Sequence, residues 1–316
     1  MKPEGRIITV GLSPAWDVSC RGRGFDWGLH AQIDEQVIRP AGKALNVSSA
    51  LAWMGSESTA AGLWGSEDHE QMCSSVARWD RRVQVRMTRA EGHTRLNVTV
   101  ADTRGRREMH LRKASELASA SSLRRLRCDL LRFVGRDDIC VFAGAMPAGP
   151  LLDPVMACVR ACRELGARLA VDTHGPVLKA VVDAQLAWLI APNVEELGEL
   201  LGSPIPDTTA KLATAGRSLL GKVEVVLISR GKKGAMFVTK DGAWSGRATG
   251  RGKVIETVGC GDYLLAGFLA AVAEQRPART ALEQALKVAT ARAYGWTDTQ
   301  TWAHARRKVA ADVRNL

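Results

Sequence analysis

Short apolar runs punctuate the chain, each long enough for a buried strand and too short for a helix. They are "RIITVGL" from Arg6, "DICVFAG" from Asp138, "ARLAVD" from Ala167, "LAWLIA" from Leu186, "EVVLIS" from Glu224 and "GAMFVT" from Gly234. Between them lie segments with helical spacing. "ALNVSSALAWMG" closes at Gly55 and "LLDPVMACVRACRELG" at Gly166; "NVEELGELLG", the stretch after Asp262 and "ARTALEQALKVATARAYG" follow. Buried strands alternating with helices predict a mostly parallel sheet covered on both faces. In such sheets ligands sit where strands run into helices. The loops to watch are therefore 13–17, 143–149, 172–175, 193–196, 229–234 and 259–262. Residues about 18–40 and 83–112 alternate apolar and polar positions, as in "RLNVTVAD" and "REMHLRK". That pattern predicts one-face-exposed strands outside the main sheet, a small β flap.

Composition adds constraints. The 316 residues are 46% hydrophobic and 24% charged, as in an ordinary soluble globular protein; the length permits two domains, though large α/β proteins often run this long as one. Seven cysteines, an odd number scattered among apolar positions, read as reduced thiols. The N-terminus reads as a first strand without the long apolar core of a signal peptide, and no apolar run is long enough to span a membrane. A cytoplasmic protein is expected. A net charge of +11 admits nucleic acid, an anionic membrane surface or phosphorylated small molecules as partners. The basic clusters are short and interrupted, so they read as solvated faces rather than nucleic-acid contacts.

Three loops carry candidate chemistry. Gly259-Cys260-Gly261-Asp262 abuts an apolar helix: Asp262 could cap that helix, or the glycines could expose N–H groups to an anion beside an acid–base carboxylate. Asn193 and Glu196, three apart at a helix start, fit a capping box and also a water-mediated Mg²⁺ site. "SRGKKGA", Ser229 to Ala235, is either a tight turn or a place where a base or phosphates approach the backbone. Taken together on one sheet edge, these parts suit phosphoryl transfer.

The motifs also resemble a known family. "TVGCGD" is similar to the C-terminal signature of ribokinase-like carbohydrate kinases, and "AGKALNVSSALAWMG" to their N-terminal signature. "GLSPAWD" resembles the opening of the phosphofructokinase B branch; "APNVEEL" and "SRGKKGA" match further family motifs in order. The resemblance runs from about residue 9 to 295. It implies a ribokinase-like three-layer α/β/α fold in a single domain over 1–316, with a β lid from about 18–40 and 83–112. It implies an ATP- and Mg²⁺-dependent kinase of a sugar phosphate, with fructose 1-phosphate to fructose 1,6-bisphosphate the leading reaction. Asp262 would be the catalytic base, and Gly259, Cys260 and Gly261 the anion hole. Asn193 and Glu196 would organise Mg²⁺ through water; Ser229, Gly231, Gly234 and Thr257 would lie along the nucleotide. Asp17, Gly42, Lys43 and Asn46 would face the acceptor, with Arg95 gripping its phosphate. A monovalent-cation requirement and a homodimer through the lid are compatible with the family pattern.

The acceptor half departs from that pattern. Gly-Gly-Lys-Gly stands as Ala41-Gly42-Lys43-Ala44, and Ser48-Ser49 replaces Ala-Arg. The 143–149 loop has lost both of the family's hydroxyls. Pro-Gly after the second flap strand reads Arg112-Lys113-Ala114-Ser115, whose charges could serve the flap. In the nucleotide half Ala191 replaces Lys, Cys260 replaces Ala, and Glu256 replaces Asp or Ser. A kinase of another small sugar or polyol, or a binding relative without catalysis, are the alternatives. A nucleic-acid-associated protein is a more distant one.

Overall fold

The computed structural model describes residues 5–28, 30–104, 107–255 and 257–316. Residues 1–4, Leu29, Gly105, Arg106 and the Glu256 replacement noted above lie outside the described residues. A ten-stranded sheet carries the molecule, in the order β14-β13-β12-β11-β10-β9-β8-β1-β4-β5. Its parallel part comprises β1 (Ile7–Gly11), β4 (Ser58–Gly65), β5 (Val83–Ala90), β8 (Ile139–Ala143), β9 (Arg168–Asp172), β10 (Leu189–Ile190) and β11 (Val225–Ser229). An antiparallel edge follows, of β12 (Ala235–Thr239), β13 (Gly242–Gly250) and β14 (Val309–Asn315).

Every residue of β1 and β8 is buried because helices cover both faces. The pleat sorts their side chains between two cores. Ile8, Val10, Cys140 and Phe142 face α3 (Ala120–Phe133), α4 (Leu152–Glu164), α5 (Gly175–Asp183), α6 (Val194–Leu201) and α7 (Thr209–Leu219). Ile7, Ile139, Val141 and Ala143 face α1 (Lys43–Met54), α8 (Cys260–Ala273) and α9 (Ala278–Ala293). Two further helices are α2 (His69–Ala77) and α10 (Trp302–Lys308). Gly55 ends α1 in the left-handed conformation, as the sequence predicts. The three-layer arrangement expected from the sequence is therefore the one observed.

The lid is a separate four-stranded sheet, in the order β3-β2-β6-β7. It comprises β2 (Ala15–Gly22), β3 (Ile33–Ala41), β6 (Leu96–Asp102) and β7 (Arg107–Arg112). This corrects one expected boundary: Val83–Ala90 pairs in parallel with β4 and belongs to the main sheet, not to the lid. As that sheet's edge strand it alternates buried and exposed positions, which imitates a flap strand in the sequence.

Candidate active site

At the carboxyl ends of the central strands an open cleft of about 490 Å³ lies between the main sheet and the lid. Of the residues singled out from the sequence, Asp17, Gly42, Lys43, Asn46, Arg95, Asn193, Glu196, Ser229, Gly259, Gly261 and Asp262 line it. Gly231, Gly234, Thr257 and Cys260 are absent from its lining.

Two helix N-termini meet on the cleft floor. Gly42 begins α1 with φ 124° and Gly259 begins α8 with φ 80°, both in the region that favours glycine. Gly259, not Asp262, occupies the N-cap position, and as a glycine it gives α8 no side-chain cap. Asp262 instead lies third in the first turn and accepts a 2.7 Å hydrogen bond from Asn46 Nδ2. Capping therefore does not account for Asp262. The first turn of α8 leaves the N–H groups of Gly261 and Asp262 without intrahelical acceptors, a natural place for an anion.

Asp262 is 4% exposed, and burial pushes its carboxyl up to about 7. The neighbouring Asp172 adds to that rise; Lys43, the Asn46 bond and Arg292 oppose it. Lys43 Nζ donates to buried Asp172 Oδ1 at 2.9 Å. Desolvation draws the ammonium down, but Asp172, Asp262 and Glu196 outweigh it and the lysine stays charged. One cation thus lies beside two carboxylates, and the more buried geometry favours a carboxyl that exchanges its proton near neutrality.

Asn193 and Glu196 form the capping box. Asn193 Oδ1 accepts from the Glu195 and Glu196 N–H groups at 2.8 and 2.9 Å, and Glu196 Oε2 accepts from the Asn193 N–H at 2.8 Å. The box engages one side-chain oxygen of each residue while both residues still face the cleft. Ser229 is held alongside, bridged to Asn193 at the end of β11. Gly231 opens, and Gly234 closes, a short 3₁₀ turn. At Gly234 a Cβ would come within 2.0 Å of the Gly246 carbonyl oxygen, so strand packing alone requires a glycine there.

Across the lid, the register places Arg39, Asp17, Asn97 and Arg112 in one row over four strands. Directly paired residues share a face, and Asp17, Asn97 and Arg112 all line the cleft. Asn97 Nδ2 donates to Asp17 Oδ1 at 3.0 Å, while the buried Asn97 Oδ1 has no hydrogen-bond partner among the described residues. Arg95 has a different surrounding from the one its motif implies. Its guanidinium donates to the carbonyls of Ser13, Pro14 and Lys113 at 3.1, 3.2 and 2.6 Å, which ties the 13–14 loop to the end of the lid. Burial and the nearby Arg112 draw its pKa down.

Sequence reading did not assign Asp172, Asn97 or Arg292 to the site. The 172–175 loop carried a positional signal, since it follows a parallel strand; Asn97 and Arg292 carried none. Among the described residues no group of three or more His, Cys, Asp or Glu is placed to hold a metal. The Glu196 carboxylate and the Asn193 side-chain oxygen, both on the cleft wall, are oxygen donors of the kind that fit Mg²⁺, an ion commonly held by one or two carboxylates, waters and substrate phosphates.

Comparison with known proteins bears on this geometry. The pfkB family carbohydrate kinase model matches residues 10–293. The 1-phosphofructokinase of Vibrio cholerae is 27% identical over 83% of this chain and 81% of its own length. That of Xanthomonas campestris pv. campestris is 28% identical over 90% of this chain and 89% of its own. Among solved structures, phosphofructokinase-2 from Escherichia coli in complex with substrates and products superposes with a TM-score of 0.86. The two chains are 23% identical, over 96% of this chain and 98% of that one, and share the fold.

Proposed function

The chain belongs to the pfkB family of carbohydrate kinases, and from that premise we propose that it transfers a phosphoryl group from ATP to a hydroxyl of a sugar phosphate, fructose 1-phosphate first, giving fructose 1,6-bisphosphate. The observation that carries this reading is the buried Asp262, bonded to Asn46 at the start of α8 and facing the same cleft as the lid row of Asp17, Asn97 and Arg112. Asp17 is an acceptor suited to a sugar hydroxyl, and Arg112 supplies a cation for an anionic substituent. The named activity of the two bacterial relatives supports the choice of substrate.

In this mechanism Asp262 orients the acceptor hydroxyl and takes its proton. The hydroxyl oxygen forms its bond to the γ-phosphorus as the bond to the β-phosphate oxygen breaks, and ADP leaves. The free N–H groups of Gly261 and Asp262 stabilise the equatorial oxygens, and Lys43 adds positive charge beside them. Asn193 and Glu196 would hold Mg²⁺ through water, where it would offset phosphate charge. The Gly231–Gly234 turn and Thr257 form the approach for the nucleotide. The lid's opposite face exposes Ile38, Leu96, Met109 and Leu111, each more than 40% exposed, and a second copy of the chain covers this apolar face in a homodimer.

The test is Mg-ATP turnover against ketose and hexose phosphates, free sugars and nucleosides, with Arg112→Gln beside the parent protein. Turnover of a sugar phosphate, with a KM raised about tenfold or more in Arg112→Gln, supports the reading. Turnover confined to an uncharged acceptor would replace it with kinase action on a free sugar or polyol.

A further inference from the structure

A buried arginine lies behind the turn that carries Gly259. Arg292 stands in the last turn of α9 and is 5% exposed, yet it does not line the cleft. Its Nε donates to the Val258 carbonyl at 3.4 Å, and its Nη1 reaches Thr297 Oγ1 at 3.5 Å and Asp298 Oδ2 at 3.4 Å. The guanidinium carbon is 5.4 Å from the centre of the Tyr263 ring. A Cβ on Gly259 would meet Arg292 Nε at 3.7 Å, Asn46 Nδ2 at 3.8 Å and Asp262 Oδ2 at 3.8 Å. The glycine, the carboxylate, its amide donor and the guanidinium therefore close around one point.

A buried guanidinium is a costly way to fill space between two helices. Further along the same interface, Gly267 of α8 packs directly on Ala285 of α9. The carbonyl end of α9 favours a cation, but the N-terminus of α8 beside it does not. Asp298 supplies one negative charge at 3.4 Å, and on the α8 side Arg292 also acts on the carboxyl of Asp262.

We propose that Arg292 is a positioning residue for phosphoryl transfer: it fixes the Val258–Gly259 peptide, so that the first turn of α8 is held towards the transferring group, and it sets a buried positive charge behind Asp262. The inference rests on Asp262 being the base. Among the described residues, the charged and polar groups that act most strongly on Asp262 are Asp172 from the end of β9, Lys43 and Asn46 from α1, and Arg292 from α9. Lys43 is tied to Asp172, whereas Arg292 approaches from behind the loop and does not line the cleft.

The experiment compares Arg292→Met and Arg292→Lys with the parent protein, reading kcat, both KM values, the pH dependence of kcat/KM and the carboxyl titration of Asp262 by ¹³C NMR, assigned with Asp262→Asn. For Arg292→Met, kcat should fall about tenfold or more with each KM within about threefold. Its acidic limb and the Asp262 titration should both move up by about one pH unit. Arg292→Lys should leave the titration near the parent's, because the charge remains, and give an intermediate kcat because the fork is lost. Guanidinium ion at millimolar concentration should restore part of the kcat lost in Arg292→Met.

An Arg292→Met protein that folds with unchanged kcat and titration overturns the inference. So does an Arg292→Lys protein whose Asp262 titrates as far from the parent as the Met variant does. If Arg292→Met does not fold, Arg292→Lys decides: a parent-like titration with lowered kcat supports the inference, and any other combination overturns it. If the parent transfers no phosphoryl group, the base assignment has failed and this inference falls with it. An active parent with indifferent Arg292 variants sinks the inference alone.

Discussion

Asn46 and Asp262 are 216 residues apart in sequence and 2.7 Å apart in the folded protein, where the amide of one donates to the carboxylate of the other. The bond joins the first turns of α1 and α8, the two helices whose N-termini form the cleft floor. It holds the ionised form of a carboxyl that burial otherwise drives towards neutrality. A hydrogen bond to a charged group contributes about 1.5–3 kcal/mol. Asn46→Ala should therefore raise the Asp262 pKa by roughly one to two units. Turnover at pH 7 should fall about tenfold or more, and most of it should return at pH 9. A pH-independent loss in Asn46→Ala would show that the amide holds substrate rather than the carboxylate.

Asp262 itself links activity and stability to pH. With its carboxyl near 7 in the folded protein and near 3.8 ordinarily, folding favours the protonated form. Its contribution to stability is fully present below about pH 4 and is lost as pH rises through 7. The acidic limb of kcat/KM should lie near pH 7. Asp262→Asn should abolish most of kcat. It should also be more stable than the parent at pH 8, by an amount on the order of a few kcal/mol that shrinks towards pH 4. Thermal melts of the two proteins at pH 5 and pH 8 measure this directly; an equal Tm difference at both would contradict the raised carboxyl.

Much of this site could be read before folding because its parts are contiguous. The 42–46 and 259–262 stretches each place a glycine at a helix start with the polar group a few residues on, and the fold then sets the two starts side by side. Asn193 and Glu196 read equally well as a cap and as an ion site, and the capping box is now seen. Asn97 and Arg292 were illegible for a different reason: each is an ordinary polar residue in its own element, and its role arises only from what strand register or helix docking puts opposite. β4 was missed because "STAAGLWG" is weakly apolar, although all of it is buried. Gly62 in that strand has φ 123°, and a Cβ there would come within 2.0 Å of the Gly11 carbonyl oxygen. The strand's composition thus follows from close backbone packing rather than from hydrophobic patterning.

The Lys43–Asp172 pair makes a prediction about stability. Asp172 is buried while Lys43 is about a third exposed, its side chain 38% accessible. Lys43→Met leaves a buried carboxylate unpaired beside Asp262. Screening at the open end of the pair reduces the cost of a broken buried pair to about 1–3 kcal/mol. Adding Asp172→Asn in the same chain should recover much of that loss, since the stranded charge is gone. Urea melts of the single and double variants test this. A double variant less stable than Lys43→Met would mean that Asp172 is held by something other than its charge partner.

Glu196 allows capping and ion binding to be separated. Glutamine at this position keeps an oxygen for the Asn193 N–H, so Glu196→Gln should retain the box. Its stability should stay within about 0.5 kcal/mol of the parent's. The carboxylate charge is lost, however, and with it the attraction for a hydrated divalent cation. Turnover at saturating ATP should then require about tenfold more free Mg²⁺, with the KM for the sugar phosphate little changed. Titrating free Mg²⁺ at fixed Mg-ATP distinguishes this from weaker nucleotide binding. If Glu196→Gln needs no more Mg²⁺ than the parent, the box is purely structural, and the ion is held by the phosphates and other residues of the cleft.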